Sequence, residues 1–268
     1  MMRAFSPNDP LSNEFYHSAI QLLQEHRIGF LVGGAFALRT YTGIERDTKD
    51  FDIFMRPKDV QTALDLLTSK GYRAGIVFSH WIAKVHHGEH FIDIIYRAGN
   101  GLAEVDDLWF ATARSAEVIG LQLPICPPEE IIWQKAFIME RERYDGADIQ
   151  HILLKAGPQI DWDKLLRRFE EHWRVLLAHL VLFRFVYPNE SASVPEEVMQ
   201  TLLNRAQSDS YSPMEPPNLC RGTLISRAQY LTDVERWGYH DARELPNVRM
   251  TTDEIRQWTM AIDREDRP

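Results

Sequence analysis

The sequence predicts an α+β protein, a small mixed β-sheet with flanking helices followed by a mostly α-helical C-terminal half. Three observations carry this. Short apolar runs alternate with helical stretches from Ile28 to Leu123, and beyond Pro128 the apolar residues recur at helical spacing. Within that first part, the stretch Phe30 to Phe54 ends an apolar strand on a double glycine and carries two aspartates one residue apart.

Taken in order, Ile28 to Val32 reads as a strand, and Gly33 and Gly34 turn it into a helix-like segment running through Tyr41. Asp50 to Phe54 is a second strand. Asp59 to Lys70 is an amphipathic helix, with Val60, Ala63, Leu64 and Leu67 on one face and Gly71 as its stop. Trp81 to Val85 and Phe91 to Tyr96 read as paired strands joined by a turn at His86 to His90 that contains Gly88. A short helical piece, Val105 to Ala113, and a strand, Glu117 to Leu123, follow. Pro128 with Glu129 and Glu130 opens a helix whose apolar stripe of Ile131, Ile138 and Met139 includes Lys135. Asp145 is placed to cap a helix bearing Ile149, Ile152 and Leu153. One long helix, Asp163 to Val186, carries Leu165, Leu166, Phe169, Trp173 and Leu176 and ends at Tyr187-Pro188-Asn189. Ser208 to Pro217 reads as an exposed linker or loop, and the segment from Leu219 as a helical stretch with a polar tail. The expected division is a core at 1–125 and a helical domain at 126–268.

Composition bounds the function classes. With 44% hydrophobic and 26% charged residues, the chain has the profile of a soluble globular protein. Its most apolar run, Val175 to Val186, is broken by His179 and Arg184 and too short for a bilayer, so it is expected as a buried core helix. The N-terminal stretch MMRAFSPNDPLSNEF lacks a secretory apolar core, which makes the cytoplasm the expected compartment. Cys126 and Cys220 are far apart and neither forms a CxxC pair, so neither a disulfide framework nor a zinc site is expected. A net charge of −9 argues against a broad nucleic-acid surface and suits a cationic small acceptor such as an aminoglycoside. Lys164, Arg167 and Arg168 alternate with acids and read as a solvated helix face.

The chemistry lies in the acids. Residues i and i+2 of a strand share a face, so Asp50 and Asp52 aim two carboxylates at one point while Phe51 and Ile53 pack behind them. Paired carboxylates repel unless a cation lies between them, and hard oxygen ligands suit Mg²⁺, or Mn²⁺, held together with substrate phosphates. Gly33 and Gly34 would let backbone approach such a phosphate at a helix N-terminus. Asp93 is the one acid in an otherwise apolar strand, where a charge is costly without a metal or cationic partner.

The ordered set GG, helix, DFD and a strand with a lone Asp resembles the nucleotidyltransferase superfamily that includes DNA polymerase β and kanamycin nucleotidyltransferase. More narrowly, GGAFALRTYTGIERDTKDFDIF is similar to the first motif of the nucleotidyltransferase toxins of abortive-infection toxin-antitoxin systems, matching at Gly33, Gly34, Ala35, Leu38, Arg39, Arg46, Thr48, Asp50 and Asp52. PPEEIIWQKAFIMERERYDGADIQHILL resembles their later motif at Lys135, Arg141, Asp145 and Asp148. Asp93 departs from the toxins toward the polymerase and antibiotic-modifying members. The region from Cys126 to Pro188 is similar to stand-alone bacterial nucleotidyltransferase-like proteins. The resemblance implies a polymerase β-like core and an NTP as substrate. It implies metal at Asp50, Asp52 and Asp93, with nucleotide contacts from Gly33, Gly34, Thr48 and Lys135 and acceptor positioning by Asp148. The acceptor is left open among small molecules, RNA and protein. A non-catalytic nucleotide-binding or toxin-antitoxin regulatory protein on the same fold is the competing expectation. The cluster HHGEH, with His86, His87, Glu89 and His90, lacks the spacing of a helical zinc site and is expected as a polar hairpin tip.

Overall fold

The structure, a computed structural model, describes residues 10–46, 48, 50–208 and 216–261. The chain divides into two compact units, Met1–Gly99 with Ala103–Pro127, and Asn100–Leu102 with Pro128–Pro268. The first is a mixed sheet with helices and the second is mostly helical, as the fold class read from sequence requires.

The sheet of the first unit has seven strands in the order β3-β4-β5-β2-β1-β7-β6. These are β1 (Leu31–Val32), β2 (Asp50–Phe54), β3 (Arg73–Phe78), β4 (Ile82–His87), β5 (His90–Ile95), β6 (Arg114–Val118) and β7 (Leu121–Ile125). At its centre β2 runs antiparallel to β1 and parallel to β5, with Asp52 directly opposite Asp93. Alternation then does the sorting. Phe51 and Ile53 are fully buried, and the Phe51 ring lies 5.2 Å from Tyr16 of α1 (Pro10–Glu25) and 4.9 Å from Phe36 of α2 (Gly34–Thr42). The opposite face of β2 is left to Asp50 and Asp52. Helix α2 stops at Gly43, whose φ of +73 lets its N–H reach the carbonyl of Arg39. Helix α3 (Pro57–Ser69) starts on Pro57 and buries Val60, Ala63, Leu64 and Leu67.

Several expectations are corrected. The first strand shortens to Leu31–Val32. Helix α1, which buries Phe15, Tyr16, Ala19, Ile20 and Leu23, and the exposed edge strand β3 were not read from the sequence. The expected turn at His86 to His90 is only Gly88-Glu89, because His87 still pairs with His90; Gly88, at φ +61, supplies the positive φ that a two-residue loop needs. The expected strand Glu117 to Leu123 is two strands, β6 and β7, folded at Ile119-Gly120 with φ of +51 and +77. An isoleucine in the left-handed region hides this turn from a search for Asn-Gly or Asp-Gly. The short helical piece is α4 (Asp107–Ala111), capped by the Asp106 carboxylate accepting from Leu108 N–H.

In the second unit, α5 (Pro128–Lys135), α6 (Gly146–Ala156), α7 (Trp162–Phe169), α8 (Trp173–Val186) and α9 (Glu196–Ser208) are followed by α10 (Leu231–Glu235) and α11 (Thr252–Met260) and a small parallel pair, β8 (Leu219–Cys220) with β9 (His240–Asp241). The single helix expected over Asp163 to Val186 is broken by a 3₁₀ turn at Glu170–His172, where Glu170 has φ +32. The run Val175 to Val186 is not buried all round: Leu176, His179, Leu180 and Phe183 face inward, while Phe185 is 82% exposed. The stripe expected to hold Lys135 is absent, since α5 ends at that residue, before Ile138 and Met139. Of the linker expected at Ser208 to Pro217, residues 209–215 lie outside the described residues, as do most of the N-terminal stretch and the polar tail.

The basic run of α7 is not a solvated face. Arg167 is exposed, but Lys164 is buried, with Nζ 2.9 Å from Glu130 Oε1, and Arg168 Nη2 is also 2.9 Å from that oxygen. Read as first-turn acids, Glu129 and Glu130 are in fact nearly inaccessible. Breaking a buried pair of this kind costs about 3–5 kcal/mol. Glu130→Ala is therefore expected to lower the unfolding free energy by that order in chemical denaturation, while Arg167→Ala changes it by roughly 0.5 kcal/mol or less. Equal losses in both variants would contradict the buried network.

Candidate active site

The ladder of the first unit sets the side chains around Asp50, Asp52 and Asp93 in two rows on one sheet face. One row runs Lys84, Asp93, Asp52 across β4, β5 and β2, and the next runs Arg73, His86, Phe91, Asp50 from β3 to β2. One carboxylate oxygen from each of Asp50, Asp52 and Asp93 lies within 4.8 Å of the others. Fully ionised, such a set is repulsive, by about 3 kcal/mol for each pair at an effective dielectric near 20 before solvent screening lowers it. A divalent ion among three hard oxygens would relieve it.

Two neighbours shape the set. The Thr48 hydroxyl donates to Asp50 Oδ1 at 2.5 Å. Gly33 donates its N–H to the Asp52 carbonyl at 2.9 Å and stands before the first turn of α2. Gly34 has φ +52, and a Cβ built on it would lie 1.8 Å from Asp52 Oδ2. At Gly33 a Cβ would meet the Phe54 ring at 2.4 Å. The double glycine is thus required twice, once by the left-handed turn and once by the side chains of β2 that press against it. It brings the N-terminal end of α2 onto the acids.

Asp93 is 6% exposed and sits in an interior strand, not at an edge facing water. Lys84 Nζ donates to both of its oxygens, at 2.6 and 2.9 Å, and lies 4.2 Å from the Phe91 ring centroid. Burial raises the Asp93 pKa and nearby Asp50 adds to this, against the opposing pull of Lys84. Burial, then Arg73 and Lys84, push His86 down, favouring its neutral form. Lys84 is the residue that reading the sequence missed. Its signal is the two-residue loop Gly88-Glu89, which fixes the register that sets Lys84 opposite Asp93.

The second unit holds the other motif residues. Lys135 Nζ pairs with Asp145 at 2.6 Å and with Asp148 at 2.9 Å, tying α5 to α6. Contrary to the expectation from sequence, Asp145 stands at the N-terminus of α6 without capping it through its side chain; that carboxylate is taken by Lys135 and by Arg143 at 2.9 and 3.0 Å. Arg141 pairs with its neighbour Glu142, and in the first unit Arg39 pairs with Glu45. The HHGEH histidines form no cluster of three metal-ligand atoms among the described residues, and His87 instead stacks at 5.5 Å on Phe15.

The model of a family described as uncharacterised nucleotidyltransferases matches residues 16–184, more than half of the chain. The chain belongs to that family. It is similar in structure to a nucleotidyltransferase-like antigen from Paracoccidioides brasiliensis, at 16% identity over 74% of this chain and 100% of that one, with a TM-score of 0.47. It is also similar to the antibiotic-resistance factor ANT(2'')-Ia, at 14% identity over 64% of this chain and 97% of that one, with a TM-score of 0.45. The lincosamide adenylyltransferase LnuA in its lincomycin-bound form aligns at 15% identity over 56% of this chain and 98% of that one, with a TM-score of 0.39. No curated protein matches the chain. Among the described residues of this nucleotidyltransferase no helix is long and apolar enough to cross a membrane.

Two outcomes follow from these contacts. Gly34→Ala is expected to push Asp52 out of the cluster at a stability cost of about 1–2 kcal/mol, read by chemical denaturation. Unchanged stability would show that Asp52 does not need that space. Burial works against ionisation of Asp145, but Arg143 and Lys135 outweigh it and hold its pKa at about 2. The folded pKa is depressed, so this stability is present above the unfolded value and is lost as pH falls from about 4 to about 2. Asp145→Asn is expected to cost about 2 kcal/mol at pH 7 and to flatten that acid limb, as read by denaturation across pH.

Proposed function

We propose that the protein is a metal-dependent nucleotidyltransferase that moves a nucleoside monophosphate from an NTP to an acceptor hydroxyl and releases pyrophosphate. The observation that carries this is the meeting of Asp50, Asp52 and Asp93 within 4.8 Å beside the Gly33-Gly34 turn, in a chain of nucleotidyltransferase family. The donor set fits the ion such chemistry uses. All three ligands are carboxylate oxygens, suited to Mg²⁺ or Mn²⁺, and the space beside Asp52 is one that a single Cβ at Gly34 would fill. When bound, one or two such ions would neutralise the phosphates and acidify the attacking hydroxyl.

The chain's own residues supply the rest. The acceptor oxygen forms a bond to the α-phosphorus as the bond from that phosphorus to the β-phosphate oxygen breaks, and the hydroxyl proton is lost. Asp50 and Asp52 are assigned as metal ligands. Asp93 is assigned as third ligand on the acceptor side, or as the base that takes the proton. Gly33 and Gly34 allow the phosphates to approach the first turn of α2, where the helix end is positive. Thr48 orients Asp50 through its hydroxyl. For Lys135 a triphosphate counter-charge and for Asp148 acceptor positioning complete the reading. Their ion pair also has a structural job, so loss of activity in Lys135→Ala counts as catalytic only where the melting temperature is kept.

Asp50→Asn and Asp52→Asn are each expected to fold with unchanged circular dichroism and to release pyrophosphate from NTPs at least about 10²–10³-fold more slowly. Wild-type rates in either folded variant would sink the assignment. Labelled NTPs incubated with cell extract would then show whether label enters metabolites, RNA or protein.

A further inference from the structure

The unassigned residue beside the acids is Lys84. Its ammonium already occupies the bidentate position of Asp93, 2.6 and 2.9 Å from the two oxygens, where a metal ion chelated by that carboxylate would have to lie. Two contacts hold it there, and one side is left open. The β4–β5 register sets it opposite Asp93 and the Phe91 ring lies 4.2 Å from its Nζ, while its partner across β3 is Gly75, which has no side chain to crowd it. Each carboxylate oxygen keeps a second lone pair, so Asp93 can hold Lys84 and still offer one oxygen to an ion shared with Asp50 and Asp52. With three carboxylates and one ammonium, the cluster before nucleotide binds has two negative charges in excess, one fewer than the three acids alone would carry.

We propose that Lys84 takes the place of the second divalent ion, so that the loaded site holds one metal instead of two, with the ammonium as the fixed cation on the acceptor side. This rests on the metal-dependent reading above. On a two-ion plan, one ion serves the attacking oxygen and the other the leaving oxygen. Here an ion shared by the acids would be left to the nucleotide, and the Lys84 ammonium, a built-in cation with part of its side chain still open to solvent, would stabilise the acceptor oxygen as its proton passes to water. Lys84 is a positioning and charge-supplying residue whose effect must appear in metal stoichiometry as well as in rate.

The test counts Mn²⁺ per bound nucleotide by equilibrium dialysis and elemental analysis, with an NTP analogue that cannot be cleaved between the α- and β-phosphorus. The full chain is expected to hold one Mn²⁺. Lys84→Arg, which keeps the charge, is expected to hold one, and Lys84→Met two. Two Mn²⁺ in the wild type, or one in folded Lys84→Met, would overturn the proposal while leaving metal-dependent transfer standing. No Mn²⁺ in the wild type would remove both. Since the wild-type count alone can decide against the inference, a Lys84→Met chain that fails to fold does not shelter it.

Discussion

Phe51 and Ile53 cannot be buried on one face of β2 unless Asp50 and Asp52 are presented on the other, and the parallel pairing of β2 with β5 then decides what those two acids meet. Because Asp52 stands directly opposite Asp93, carboxylates from separate strands share one patch of sheet. The tight turn at Gly33-Gly34, the Thr48 hydroxyl and the Lys84 ammonium are all arranged around that crowding. Each either makes room for an acid, orients it, or offsets its charge.

The second unit meets buried charge in another way. Glu130 is fully buried against Lys164 and Arg168, and Lys135 is shared between Asp145 and Asp148. In both, helices separated along the chain are joined by a charged group that would be costly alone. Arg143 also pairs with Asp145 and Glu129 with Lys164, so each of these networks has two acids and two cations, whereas the acid cluster on the sheet sets three carboxylates against one ammonium. An excess of charge at a partly open site is what a ligand of opposite sign can use, whereas balanced pairs have nothing left to recruit.

Much of this was legible in the sequence where the governing rule is local. Strand alternation placed Asp50 and Asp52 on one face, and the lone acid among Phe91, Ile92, Ile94 and Ile95 marked Asp93 as a charge in need of a partner. What stayed hidden depended on register or on distant partners. A turn spanning His86 to His90 sets Lys84 opposite Ile92, whereas the two-residue loop at Gly88-Glu89 sets it opposite Asp93. Half a residue in the centre of the hairpin thus separates an unremarkable lysine from one in the site. Ile119 concealed a hairpin because a β-branched residue rarely takes positive φ. Lys164 and Arg168 looked solvated because the glutamate they share lies on another helix.

The pairing of β2 with β5 also has a meaning for how the chain is assembled. A slip of two residues between these strands would keep apolar side chains facing the same way and could leave the core largely intact, yet it would carry Asp93 about 6–7 Å along its strand away from Asp52. The closeness of these carboxylates is therefore a finer report of correct sheet assembly than the core is. A chain joined in the wrong register could pass every test of secondary structure and compactness and still have its three acids scattered.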